Sequence, residues 1–516
     1  MPLWQSFSLS PGEAAASWAT EMIIPDNQIS AIVDRVVEQL TSTSSISPGE
    51  SSREDSNKHE PSRKPGESPG SPAVSIPQPA GYRGSFPDID PAIDAAHQAF
   101  LEYKSVPVAQ RKRIIAAIRE ICLEHLQELS KIAVEETGLG RCEDKLKKNR
   151  LAIVKTPGVE DVEPLAFTGD EGLTVEERAP YGVIGSITPC TNPTETIICN
   201  GIGMIAAGNA VVFNPHPSAK RTSVYVIDLM NQAVISEGGP PNLFTTILNP
   251  TIESAQILMK HPGIKLLVVT GGPAVVAVAM KSGKRVIAAG PGNPPVVVDD
   301  TADLDKAGKD IVTSASCDNN IICVIEKEII VTNGAAEGLK KSLLKHGAVE
   351  VGSYQVRRLE KILLDEKGHP NKKWVGKDIQ EILAAIGMDV DPNKRMAIFE
   401  SPPNHPFAVE EMLMPVLGFI RVRDIDAAID LAYRLEAGCF HTAVIHSKNI
   451  DHMHRMAVKM NTSIFVKNGM ALAGLGLGGE GPTSFTIASP TGEGLTTARH
   501  FTRTRRCVLS GYFRIV

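Results

Sequence analysis

From residue 183 the chain alternates short β-branched runs with longer stretches of helical period. Runs at 183–187, 210–213, 244–248, 266–269 and 286–288 read as strands, and the intervals 193–207, 218–236, 252–260 and 274–282 as helices. Strand–helix alternation at this spacing predicts an α/β fold built on a parallel, doubly wound sheet. Ligands of such sheets bind beyond the carboxyl ends of the strands, which makes the loops there candidate sites. Upstream, 90–138 reads as helices, as in Arg111-Lys112-Arg113-Ile114-Ile115-Ala116-Ala117-Ile118. The polar, irregular stretch 160–180 is expected to form an oligomerisation hairpin, and a β-branched run at 325–331 predicts a further strand.

The N-terminal pattern is different. Ile29, Ile32, Val33, Val36, Val37 and Leu40 fall on one stripe of a helix, with Asp34, Arg35, Glu38 and Gln39 opposite and Asp26 or Asn27 able to cap it. A helix this short is marginal alone in water, so its stripe predicts a groove on a partner. Residues 41–80 hold eleven Ser, seven Pro and no aromatic residue, too little apolar surface to offset the entropy of ordering, and read as a flexible linker. Residues 1–21 carry no clear signal, and Met22 is a candidate natural start.

Composition narrows the class. A chain of 516 residues with 42% hydrophobic and 22% charged residues suits two or three globular domains. A net charge of -6 argues against nucleic acid, and the run Arg503-Thr504-Arg505-Arg506 reads as solvated surface. The eight cysteines are scattered without a disulfide framework, which suggests reduced thiols in the cytoplasm. Neither a basic n-region nor a long apolar run marks a signal peptide or membrane span.

The candidate chemistry centres on Cys323, in Ser316-Cys317-Asp318-Asn319-Asn320-Ile321-Ile322-Cys323-Val324-Ile325-Glu326-Lys327-Glu328, where a polar turn runs into apolar sequence and presents a thiol at the mouth of an element. Upstream lies Ala288-Ala289-Gly290-Pro291-Gly292-Asn293-Pro294-Pro295. Together these segments, with Glu135-Glu136-Thr137-Gly138-Leu139-Gly140-Arg141-Cys142-Glu143-Asp144-Lys145, resemble the aldehyde dehydrogenase superfamily and within it the CoA-acylating branch. The resemblance implies that Cys323, rather than its neighbour Cys317, is the nucleophile. It also puts Ala289 where hydrolytic members carry the glutamate that activates water. A thioester on Cys323 would then persist until a thiol such as coenzyme A attacks it.

The resemblance implies further roles. In Thr188-Pro189-Cys190-Thr191-Asn192-Pro193, Asn192 would help form the oxyanion hole, although an ungapped count gives Thr191 that place. Thr188, Pro189, Asn214, His216, Pro217, Gly271, Gly272 and Pro273 would line the dinucleotide site, with the pyrophosphate at the helix start after Gly272. Asn214 replaces a lysine of many relatives, which favours NAD over NADP. Glu411 would hold the nicotinamide ribose. Gly474-Leu475-Gly476-Leu477-Gly478-Gly479 satisfies GxGxxG but lacks the strand-before, helix-after setting, and reads instead as a flexible loop near the substrate entrance. His441, within Gly438-Cys439-Phe440-His441-Thr442-Ala443, and the segment Ser484-Phe485-Thr486 also look like family features, with His441 expected to be a satisfied structural histidine.

The expected organisation is a tail with a targeting helix at 1–41, a linker at 42–81, a Rossmann-like cofactor domain at 82–294, a catalytic domain at 295–470 and a segment at 471–516 returning to the cofactor domain and the oligomerisation arm. The tail resembles the encapsulation peptides that direct enzymes into bacterial microcompartments, which implies shell proteins as partners and a location inside a microcompartment. The implied reaction takes a short-chain aldehyde, propionaldehyde favoured, with NAD and CoA to acyl-CoA and NADH, in a homo-oligomer, dimer or tetramer, with no metal. A hydrolytic dehydrogenase and a non-catalytic assembly protein are the alternatives.

Overall fold

The computed structural model describes residues 81–514, so the expected tail helix and nearly all of the linker lie outside the described residues. Two parallel sheets carry the fold. The first has six strands in the order Ser85–Phe86, Phe244–Ile247, Ala210–Pro215, Val183–Thr188, Ile264–Thr270, Val286–Ala289. Starting from Val183–Thr188, the chain builds outward on one side, then crosses over to place Ile264–Thr270 on the other. The strand order therefore reverses between these two neighbours, the position at which doubly wound sheets open a crevice. The central strands Val183–Thr188 and Ala210–Pro215 are buried on both faces under helices such as Pro193–Ala206 and Lys220–Ser236, which explains their unbroken apolar runs in the sequence.

The second sheet has seven parallel strands, in the order Ala348–Glu350, Met396–Glu400, Val416–Val422, Glu328–Thr332, Pro295–Val298, Thr442–His446, Ile464–Lys467. The change from one sheet to the other falls between Ala289 and Pro295. The expected strand at 325–331 is corrected to Glu328–Thr332. Its β-branched start is drawn into a turn because the Lys327 ammonium is buried and gathers the carbonyls of Asn320 and Ile322, at 2.8 and 3.0 Å, around itself.

The stretch 160–180 proves regular rather than irregular. Leu165–Gly169 and Gly172–Pro180 form an antiparallel hairpin, and the C-terminal strand Thr502–Ser510 pairs along the whole of the second of these. Leu165, Phe167, Val508 and Leu509 are exposed on this three-stranded arm. The Gly474–Gly479 segment is not free either: Lys155 Nζ donates to the Gly476 and Gly479 carbonyls at 2.7 and 2.8 Å, and no helix follows.

Asp318, Asn319 and Asn320 occupy the left-handed region at φ 49°, 54° and 67°. Three such residues in succession are held because every side chain is tied: Asp318 to Lys145, Asn319 to the Gly376 carbonyl, and Asn320 to the Ala315 and Glu326 carbonyls. Gly140, itself at φ 76°, lies against the Asp318 carboxylate with no room for a Cβ. Gly140→Ala is therefore expected to lower stability by about 2 kcal/mol or more through backbone strain and displacement of Asp318, read as an earlier midpoint in urea unfolding. An unchanged midpoint would show that the 318–320 turn is not held from this side.

Candidate active site

The expected cofactor residues gather on one rim. Thr188 ends its strand and Pro189 follows; Asn214 lies at the end of Ala210–Pro215; Pro217 opens the short turn Pro217–Ala219; Gly271 and Gly272 join Ile264–Thr270 to the helix Pro273–Met280. These strands are neighbours, so their carboxyl ends flank the crevice at the strand-order reversal. The His216 amide donates to the Thr188 carbonyl at 3.0 Å and Asn214 Oδ1 accepts from Ser254 Oγ at 2.6 Å, which ties the second loop in place. Burial, with the charge of Lys372, holds the His216 imidazole below its ordinary pKa. The rim fits a dinucleotide. Thr188 Oγ1 is buried without a partner, and Gly272 at the helix start has open space over its Cα.

The second cluster forms where strands of the other sheet begin. Gly292 precedes Pro295–Val298, Cys323 precedes Glu328–Thr332, Glu411 precedes Val416–Val422, and His441 precedes Thr442–His446. Gly292 is the hub. A Cβ there would stand 2.8 Å from the Cys323 carbonyl oxygen and 2.8 Å from His441 Cγ, and its amide donates to Glu411 Oε1 at 3.3 Å. Glu411 thus belongs to the cluster around Cys323. Ala289, 4% exposed, closes the strand that leads into this segment and brings no carboxylate.

His441 departs from the expectation of a satisfied histidine. Nδ1 lies 2.8 Å from Thr442 Oγ1, but the buried Nε2 has no partner. Burial, reinforced by Lys327, pushes its pKa down to about 3, so the ring is neutral beside Cys323. Sequence reading undervalued it because an isolated histidine carries no spacing signal.

The two cysteines separate on burial. Cys317 is buried and its pKa is pushed far up by burial and by Asp144 and Asp318. Cys323 is partly exposed. Burial of its sulfur and the Glu411 charge push its pKa up to about 12, while Lys327 and Lys148 pull the other way. Burial also raises the Glu411 carboxyl and lowers Lys327, each opposed by the other's charge.

Asn192 stands at the N-cap position of the helix Pro193–Ala206, makes no side-chain capping bond and is buried, whereas Thr191 is partly exposed. Behind it stands a buried ionic cluster. Lys148 Nζ lies 2.5 Å from Asn192 Oδ1, 2.5 Å from Asp318 Oδ2 and 3.2 Å from Glu195 Oε1; Lys145 Nζ lies 3.0 Å from Asp318 Oδ2 and 3.1 Å from the Thr191 carbonyl. The helix Cys142–Lys155 therefore joins the loop of Asn192 to the turn that leads to Cys323.

Two parallel sheets with a crevice at the strand-order reversal define the α/β class, and the family model described as "Aldehyde dehydrogenase family" matches residues 80–485: the chain belongs to the aldehyde dehydrogenase family. It is 54% identical over 439 residues to the acetaldehyde dehydrogenase (acetylating) EutE of Salmonella typhimurium, covering 84% of this chain and 94% of the relative. A crystal structure of Rhodopseudomonas palustris propionaldehyde dehydrogenase with bound CoA and an acylated cysteine matches with TM-score 0.82 and 48% identity, covering 83% of this chain and 98% of that one. A propionaldehyde dehydrogenase from the Clostridium phytofermentans fucose utilisation bacterial microcompartment matches with TM-score 0.83 and 47% identity, covering 84% of this chain and 100% of that one.

A thiol raised to about 12 is mostly protonated at neutral pH, so alkylation of Cys323 by iodoacetamide is expected to keep rising by about tenfold per pH unit through pH 9, beyond the ordinary thiol value of ~8.5. Peptide mapping should find the label on Cys323 and not on buried Cys317. A plateau near pH 8, or equal labelling of Cys317, contradicts this electrostatic account.

Proposed function

We propose that the chain is a CoA-acylating aldehyde dehydrogenase, converting a short-chain aldehyde, NAD⁺ and CoA to acyl-CoA, NADH and a proton, with propionaldehyde the favoured substrate. The observation that carries the reading is a partly exposed Cys323 at the meeting of the two sheets, on a segment whose expected base position holds Ala289. The Cys323 sulfur attacks the aldehyde carbonyl, and the developing oxyanion is met by the Asn192 amide and backbone N–H groups. Bound NAD⁺ supplies the hydride acceptor, on the rim of Thr188, Asn214, His216 and Gly271–Pro273. Loss of hydride leaves a thioester on Cys323. The CoA thiol attacks it, expels the Cys323 sulfur and completes acyl-CoA. One acceptor stands by for protons moved in these steps, the Glu411 carboxylate, whose Oε1 accepts from the Gly292 amide. The replacement of lysine by Asn214 favours NAD over NADP.

The relatives' link to microcompartments supports a second part of the reading. The family match begins at residue 80, so the apolar stripe at 29–40 falls outside the matched span, which supports its reading as an address for shell proteins. The exposed apolar residues of the three-stranded arm support assembly into dimers or tetramers.

Without CoA, turnover is expected to stall after about one NADH per active site, because no general base activates water on the thioester. Ala289→Glu should raise release of free acid, and Cys323→Ala should abolish NADH formation while Cys317→Ala keeps much of it. Steady CoA-independent turnover of the unaltered enzyme favours hydrolysis instead, and inactivity with every aldehyde favours an assembly role.

Deleting residues 1–80 should leave kcat within about twofold, since termini contribute few buried contacts. The same deletion should abolish co-localisation with shell proteins in cells. Efficient entry of the truncated enzyme into shells, or loss of most of its activity, contradicts the address.

A further inference from the structure

Lys148 is almost wholly buried, 1% exposed, and its ammonium faces three oxygens, on Asn192, Asp318 and Glu195. An ammonium has three protons and no acceptor. The contact to Asn192 therefore distinguishes the two ends of an amide that are otherwise nearly the same shape. Only the carbonyl end can face Lys148; turning the amide over would set NH₂ against NH₃⁺ and lose a charge-assisted bond in a buried site. With Oδ1 so fixed, Nδ2 points the other way. One of its N–H groups is taken by Thr191 Oγ1 at 3.2 Å, and the second is left for another acceptor. An oxyanion donor needs this end of the amide and must be held there before charge develops.

We infer that Lys148 is a positioning residue for catalysis, holding the Asn192 amide with its N–H face toward the oxyanion. The inference rests on the reading of Cys323 as nucleophile and Asn192 as donor. Lys148 touches neither aldehyde nor cofactor in this scheme; it acts through the amide, and its charge also polarises the N–H bonds that donate. Asp318 and Glu195 hold Lys148 in turn. Because Asp318 opens the left-handed turn before Cys323, the same carboxylate fixes the nucleophile's loop and, through Lys148, the donor. Lys145 shares Asp318 from the other side, so Lys148 can be replaced without leaving that carboxylate alone.

The test is a double-mutant cycle in the full-length enzyme. Asn192→Ala, Lys148→Met and the double variant are compared by kcat and KM for NAD⁺ at saturating aldehyde and CoA, with iodoacetamide labelling of Cys323 as the check on the fold. Asn192→Ala is expected to lower kcat by about 100-fold or more, the loss typical of a removed oxyanion donor. Lys148→Met should lower it at least about tenfold with KM for NAD⁺ unchanged, and the double variant should be no slower than Asn192→Ala, because a residue acting through another adds nothing once that one is gone. Wild-type kcat in Lys148→Met, or a double variant whose loss is the product of the two single losses, overturns the inference while leaving the function standing. Wild-type kcat in Asn192→Ala, with Cys323→Ala inactive, overturns the donor assignment itself. If Lys148→Met does not fold, Lys148→Arg keeps a cation opposite Asp318 but sets a longer, planar group against the amide; the same tenfold loss at unchanged KM supports the inference, and wild-type kcat overturns it.

Discussion

The Asp318 carboxylate, fully buried between two lysine ammonium groups, is the contact on which the rest of the site depends. Burial works against its charge, and Lys145 and Lys148 more than offset that, so it stays ionised below the ordinary carboxylate range. Burial likewise opposes the charge on Lys148, and Asp318 and Glu195 hold it ionised. Such a cluster gives little net stability over an apolar replacement, but removing Asp318, which both lysines face, costs about 3–5 kcal/mol, because uncompensated charge remains inside. Its consequence is geometric. Three segments that are distant in the chain, the helix Cys142–Lys155, the loop of Asn192 and the turn of Asp318, can meet in only one arrangement.

That arrangement sustains a strained backbone. Three consecutive left-handed residues without a glycine among them cost free energy that local sequence does not return. Side-chain bonds to Lys145, Gly376, Ala315 and Glu326 hold each residue in place, and the chain leaves the turn with Cys323 partly exposed.

The resting electrostatics suit a thiol that waits. Burial and Glu411 keep Cys323 protonated, while Lys327 and Lys148 lower the cost of forming the thiolate. Neutral His441 adds no positive charge beside it. With alanine at 289, the strand that leads toward Cys323 ends without a carboxylate, which fits the proposed acyl transfer to a thiol rather than to water.

Most of the architecture was legible in the residues, because a strand or helix buried in a parallel sheet writes its period locally. The runs at 183–187 and 210–213 and the helix at 252–260 fall where their spacing puts them, to within a residue or two. The neighbourhood of Cys323 was legible as a motif. The start of the following strand at Glu328 was not, since it is set by a lysine that pulls carbonyls into a turn. The hairpin at 160–180 was expected, but its register with a third strand more than three hundred positions away was not. The pairing of Lys148 with Asn192, across 44 positions, and of Lys145 with Asp318, across 173, leaves no periodic trace at all. Hydrophobic period is a property of neighbouring residues and determined the elements. Charge pairing and the open nitrogen of His441 depend on which chain ends the two sheets bring together, and only the tertiary structure decided those.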